Sequence, residues 1–225
     1  MGTVTGRASR PLRAGLALGL LAVLVAGCEL FKPASPEVGG GGSTLLPRYD
    51  TPDSCLRYMQ IGIEQKNDLG KSAYLGALAD TTTDGLGFHA FFDPAVWNAY
   101  VGIRPADWNL DYEAQFLPLF YNVKLDLYEM KWLPDEVYPY DYLSPEGDRM
   151  ILRRRYEVRA LQQSPVDTLL IAVGYADLYF ARIESPTRWV LYRWQDRVDP
   201  AVGAQPADGD HRTFGYRRLN AAGGG

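Results

Sequence analysis

Between Asp148 and Val198 the chain writes three long strands almost without interruption, and this stretch limits the fold more than any other. From Asp148 to Gln162, the residues Met150, Leu152, Arg154, Tyr156, Val158 and Ala160 share one face, while Arg153, Arg155, Glu157 and Arg159 share the other. That is the period-2 signature of a half-buried strand. After the Ser164-Pro165 break, Asp167 to Ile183 sets Leu169, Ile171, Val173, Tyr175, Asp177 and Tyr179 against Leu170, Ala172, Gly174, Ala176, Leu178 and Phe180. Both rows are largely apolar, so both faces need cover, by helices on one side and with a second subunit as one candidate for the other. A last strand, Thr187 to Val198, follows Glu184-Ser185-Pro186, and Trp189 and Trp194, five apart, are expected on opposite faces.

Helical periods come earlier. Thr51-Pro52-Asp53-Ser54 is a helix start, with Thr as N-cap, Pro pre-set for the first turn and Asp where the macrodipole favours an anion. Cys55, Leu56, Met59 and Ile63 then recur at helical spacing, to an end near Lys66 or Asn67. A second helix starts around Asp68, buries Tyr74, Leu75 and Leu78, and stops at the cluster Asp80 to Gly85. Leu86 to Phe92 reads as a strand ended by Asp93-Pro94, and Ala95 to Asp107 as an irregular loop. From Trp108 a third helix carries Tyr112, Phe116, Leu119 and Phe120 as its apolar stripe, with a kink or early end expected at Pro118. Val123 to Trp132 is a half-buried strand, and the Pro- and Tyr-rich segment after it is a long loop in which Tyr138, Tyr140 and Tyr142 could form a short edge strand.

Five residues stand out as pocket candidates. Arg154 is a guanidinium in an apolar row, needing a carboxylate or an opening to water, and Asp177 is its acidic counterpart on the next strand. If the two strands pair as neighbours, these side chains could form an inward ion pair; snorkelling at the sheet rim is the plainer reading of Arg154. Tyr156, Tyr175 and His89 add the residue types of acid–base chemistry, although a hydrogen-bonded structural histidine is the plainer reading of His89.

Composition removes several classes. The chain has 47% apolar residues, enough for a packed core, and a net charge of −4. It has no basic stripe for nucleic acid. Two histidines and two cysteines leave no His- or Cys-rich zinc site, no Asp-x-Asp-x-Asp calcium loop is present, and nothing asks for a cofactor. Cys55, preceded by an acidic turn, reads as a buried and inert thiol.

The first 27 residues are of another kind. Arg7, Arg10 and Arg13 precede an apolar run from Ala14 to Ala26, too short to span a bilayer, which closes on Leu24-Val25-Ala26-Gly27-Cys28. That closing stretch resembles the lipobox of bacterial lipoproteins, which implies acylation of Cys28 and cleavage before it. Loss of three positive charges takes the chain from −4 to −7 (−4 − 3). Glu29 stands where such lipoproteins carry an Asp for inner-membrane retention, so the resemblance implies the periplasmic leaflet of the outer membrane. Residues 28–50, with four consecutive glycines, read as a flexible tether; 51–199 read as one domain and 200–225 as a partly docked tail.

Helices first and antiparallel strands after make an α+β domain in which N-terminal helices pack on a curved, mostly antiparallel sheet. The Tyr74-x-x-x-Leu78-Ala79-Asp80 helix end, Phe88 to Pro94, the Trp108 helix and the closing Trp189-Val-Leu-Tyr-Arg-Trp194-Gln-Asp196 resemble the cone-like domain of nuclear transport factor 2, ketosteroid isomerase and polyketide-cyclase-like proteins. The resemblance implies a pocket inside the cone. In the isomerase a carboxylate base and an oxyanion hole work there; dehydratase-like members use a His-Asp pair, whose first role His89 could fill. No spacing ties His89, Arg154, Tyr156, Tyr175 and Asp177 into either set. The residues therefore favour a non-enzymatic envelope protein that binds a small apolar ligand or a protein partner, with a homodimer through the sheet. The alternative is an isomerase, cyclase or dehydratase with an inward Asp or His as base.

Overall fold

The computed structural model describes residues 47–100, 105–121, 127–163, 166–201 and 213–223. The Cys28 motif and the segment up to residue 46 lie outside these.

Helix α1 (Pro52–Gln65) starts as its sequence dictates. The Thr51 hydroxyl accepts from the Ser54 N–H at 3.1 Å and the Ser54 hydroxyl accepts from the Thr51 N–H at 3.0 Å, a reciprocal cap. It ends where Lys66 turns left-handed, φ 51°. Helix α2 (Asp68–Gly76) is capped by Asn67, and the Asp80 cluster coils into a short α3 (Thr81–Asp84). Before α1, Tyr49 ties the chain to the domain: its hydroxyl donates to the Ala73 carbonyl and its carbonyl accepts from the Trp189 N–H.

Strand β1 (His89–Phe91) follows, then α4 (Pro94–Ala99), a helix in place of the expected loop. Asp93 caps it through the Ala95 N–H and Pro94 opens it, a start signal that a run of only six residues leaves inconspicuous. Strand β2 (Trp108–Asn109) precedes α5 (Leu110–Tyr121), which continues past Pro118. Its buried face is Glu113, Phe116, Leu117 and Phe120, whereas Tyr112 and Leu119 are exposed. The strands β3 (Leu127–Pro134), β4 (Tyr142–Leu143), β5 (Arg149–Gln163), β6 (Val166–Glu184) and β7 (Thr187–Arg197) come next, and a helix, α6 (Phe214–Gly223), closes the described chain.

The sheet runs β2-β1-β7-β6-β5-β3, with β4 on the same edge of β5 as β3. All pairings are antiparallel except β1 on β7, which is parallel. The domain is therefore α+β with a curved, mixed and mostly antiparallel sheet. Two bulges bend it: β6 holds an extra residue, Ile171, opposite the Val158–Arg159 step, and β7 holds an extra Tyr192 opposite the Tyr179–Phe180 step.

Each bulge also reverses the phase of the side chains beyond it. Trp189 and Trp194 thus face the same way, both against the helices, contrary to the count of five. Likewise the row from Leu169 to Tyr179 changes face at Ile171. The helix-covered face buries Leu152, Tyr156, Val158, Ala172, Ala176, Leu178, Phe180, Leu191 and Trp194 against α1, α2, α5 and α6. On the other face of β6 Val173 and Tyr175 are buried, Tyr175 beneath the Arg197 guanidinium and beside Glu136, Arg155 and Asp199, while Asp177 and Tyr179 are half-buried.

Candidate functional site

The concave side of the sheet is where a chamber would lie, and here side chains fill it. At the middle of β6, Ala172, Gly174 and Ala176 are small, and the space they leave takes the rings of Tyr156, Trp194 and Phe214. Phe214, the first residue of α6, stacks on Trp194 with centroids 5.5 Å apart and meets Phe116 and Phe120 edge-on. The tail expected to dock against the domain is therefore part of its core.

Two polar constellations sit in this interior. In the first, Asp196 Oδ1 accepts from the Tyr156 hydroxyl at 2.6 Å and Asp196 Oδ2 from the Gly215 N–H at 2.8 Å. The Tyr156 hydroxyl in turn accepts from the Phe214 N–H at 2.8 Å, and Thr213 Oγ1 accepts from Tyr216 N–H. The otherwise unpaired N–H groups of the first turn of α6 are thus satisfied by a carboxylate, a phenol and a cap. Burial pushes the Asp196 carboxyl above its ordinary range, against the Tyr156 hydroxyl, the Arg218 charge and the Gly215 N–H, which pull it down. Gly215 is required there: a Cβ would lie 2.6 Å from Asp196 Oδ2 and 2.6 Å from the Phe92 ring.

In the second, Arg218 Nε and Nη2 reach Glu113 at 2.8 and 2.7 Å. The Tyr74 hydroxyl and Trp108 Nε1 donate to the same carboxylate at 2.6 and 2.7 Å. The guanidinium carbon lies 4.3 Å from the Trp194 ring centre and 4.8 Å from that of Phe214. Burial favours a neutral arginine, but Glu113 outweighs it and the pKa of Arg218 stays raised; burial, then Glu113, pushes the Tyr74 hydroxyl well up. The Glu113 carboxylate carries four donors and the Arg218 cation stacks on two rings with only its Nη1 left without a hydrogen bond, so this centre holds α6 in place.

The five residues singled out from the sequence do not converge. Tyr156 alone is in the interior. Arg154 sits at the rim of the same face, bound through two nitrogens to Asp141 at 2.7 and 3.0 Å. Asp177 is opposite Arg153 in the ladder, one position from Arg154, and so projects from the far face, where it accepts from Arg197 at 2.8 Å. The inward Arg154–Asp177 pair is therefore absent, for the reason that a one-residue offset in register changes the face. Tyr175 lies on that far face too, beneath the Arg197 guanidinium.

His89 lies on β1, paired with Asn109 of the edge strand β2 on one side and with Arg193 of β7 on the other. Its Nδ1 is 2.9 and 3.0 Å from the Asp107 carboxylate oxygens, both side chains half-exposed. The pair opens on a groove of about 230 Å³ lined by Asp80, Thr81, Gly87, His89, Asp107 and Asp111. Gly87 keeps it open, because a Cβ would stand 2.9 Å from Thr81 Oγ1 and 3.2 Å from His89 Nε2. Among the described residues no three His, Cys, Asp or Glu side chains gather as a metal site.

Glu113, Asp196 and Arg218 were not singled out from the sequence. Glu113 could have been, since it is i−3 and i−7 from Phe116 and Phe120 and thus on their face of the helix. For Arg218, in a short segment without long periodicity, no such signal exists.

No protein-family model and no curated protein matches the chain. Solved structures do. A protein of unknown function from Mycobacterium tuberculosis aligns with a TM-score of 0.49 at 11% identity, over 76% of this chain and 85% of that one. ActVI-ORFA from Streptomyces coelicolor aligns with a TM-score of 0.47 at 9% identity, over 65% and 92%. A nuclear transport factor 2-like superfamily protein from Salmonella enterica aligns with a TM-score of 0.43 at 10% identity, over 66% and 89%. The chain's structural neighbours thus include nuclear transport factor 2-like proteins.

Proposed function

We propose that this chain is a lipid-anchored protein of the bacterial envelope, held through acylated Cys28 at the outer membrane's periplasmic leaflet, and that its domain binds partners rather than turning over a substrate. The supporting observation is the occupied interior. Phe214 and Arg218 take the place of a ligand, and Asp196 and Glu113, the inward acids, are saturated by donors. A small apolar ligand inside the cone would require α6 to leave. Partners are left with the outside, where the far face of the sheet carries arginines paired with acids, and tyrosines; arginine and tyrosine are residue types enriched at contact surfaces.

The test is direct. Labelled palmitate is expected in the wild-type chain and absent from Cys28→Ala, which should shift from the membrane to the soluble fraction. The native mass of the extracted protein should equal the chain plus its acyl groups, as monomer or dimer; an additional bound small molecule would move the ligand back inside the cone.

One observation favours the enzymatic alternative, the His89–Asp107 pair open to its groove. On that reading His89 is a base for an isomerase- or dehydratase-type reaction. His89→Gln would then abolish turnover while leaving the urea midpoint in place.

A further inference from the structure

Nine large hydrophobic side chains are exposed among the described residues, and five of them fall within seven positions: Val137, Tyr138, Tyr140, Tyr142 and Leu143, at 55, 54, 79, 51 and 55%. A loose loop would explain such exposure, but this segment is built. Asp135 accepts from the N–H groups of Val137 and Tyr138 at 2.8 and 2.9 Å and from Arg197 at 2.6 Å. Arg153 donates to the Tyr140 carbonyl at 2.9 Å, Asp141 accepts from the Arg153 N–H at 3.0 Å, and Tyr142 and Leu143 pair with β5. The backbone is fixed and its acids at 135 and 141 are paired with arginines; the Tyr138 ring lies beside the Arg153 and Arg197 guanidiniums, and Tyr140 and Tyr142 are exposed. Tyrosine with an apolar body and a polar tip suits the boundary between water and lipid.

Position selects the partner. Arg154 links Asp141 of this segment, at 2.7 Å, to Asp53 in the first turn of α1, at 3.6 Å. Through Arg154 the segment is thus tied to Asp53, four residues after Tyr49, with which the chain coming from Cys28 meets the domain. For a Gly-rich stretch of that length the root-mean-square span is about 25 Å. A domain of this size has a diameter of about 40 Å. Anchored chains would keep this corner nearest the bilayer and the opposite end out of reach.

We propose that Val137–Leu143 is a second, non-covalent contact with the same membrane that holds the acyl chains; this rests on the lipid anchor proposed above. The contact fixes the orientation of the domain on the bilayer.

The test uses the full acylated chain in phosphatidylcholine–phosphatidylethanolamine vesicles, with an environment-sensitive fluorophore on Tyr140→Cys and, separately, on Leu119→Cys, another exposed position. Cys55 is fully buried and stays unlabelled. The expected result is a blue-shifted label at 140, quenched by nitroxide-bearing lipids, and a water-like, unquenched label at 119. A water-like label at 140 in protein that floats with the vesicles overturns the contact and leaves the anchor standing. A blue shift without lipid quenching means burial by protein, and equal quenching at both positions means unspecific adsorption; each overturns the proposal. A chain without acyl groups by mass that stays in the supernatant fails the anchor itself, and the contact with it. In Tyr140→Ser/Tyr142→Ser/Leu143→Ser, labelled at 137 through Val137→Cys, the blue shift should be lost with the far-ultraviolet spectrum unchanged.

Discussion

Arg218 and Glu113 stand 105 residues apart in the chain and meet as a two-point ion pair from which water is excluded. Removing one partner strands a buried charge. Arg218→Met is therefore expected to cost about 3–5 kcal/mol in urea unfolding. Adding Glu113→Leu should recover only part of this, since the Tyr74 hydroxyl and the Trp108 N–H lose their acceptor. A double variant as unstable as the sum of the singles would mean that the two residues do not act as a pair.

Gly215→Ala probes the same helix one turn before Arg218. The added methyl must displace the Asp196 carboxylate or the Phe92 ring, and overpacking of this kind costs about 1–3 kcal/mol. Hydrogen exchange should localise the loss: amides of α6 lose protection, while those of β5 keep theirs.

Stability should fall in acid. Burial raises the Asp135 carboxyl, but the Tyr138 N–H, the Arg197 guanidinium and the Val137 N–H outweigh it and hold it below its ordinary value. Burial likewise opposes Arg155 and Arg159 at Glu157, and the arginines win. A carboxyl lowered on folding stabilises above its unfolded pKa, about 4, and that contribution is lost as pH falls through the folded value. Asp196, raised by burial, has the opposite sign: its penalty grows as pH rises from the unfolded towards the folded value, and acid relieves it. With two groups against one, the urea midpoint should drop below about pH 4. Asp135→Asn should flatten that drop; an unchanged profile would show that Asp135 carries none of it.

Cys55 should be silent to thiol reagents. Burial pushes its thiol up to about 12, and Sγ lies 3.3 Å from the Trp189 carbonyl. A chromogenic disulfide should therefore react at Cys55 only in denaturant, and reaction in native buffer would mean that α1 opens from the sheet.

The long strands were legible because a half-buried strand must alternate; β5 spans Arg149–Gln163 where the alternation runs from Asp148 to Gln162. The start of α1 was legible because a cap is a local device. What escaped was non-local. A bulge at Tyr192 needs only one residue of slack, and nothing in Thr187 to Val198 distinguishes it from regular strand, so the relation of Trp189 to Trp194 was inverted. The stripe of α5 was misphased because Tyr112 and Leu119 looked apolar and Glu113 charged, and burial of Glu113 depends on an arginine more than a hundred residues later. The same dependence hid the interior: no period in residues 213–223 foretells that Phe214 fills the cone.

Helix α6 is made after every other described element, yet it supplies the ring at the centre of the core and the counter-ion of Glu113. A growing chain that has not yet produced Thr213 can pair β5, β6 and β7 but cannot close the space between them and the helices. Cooperative folding must then wait for residues 213–223.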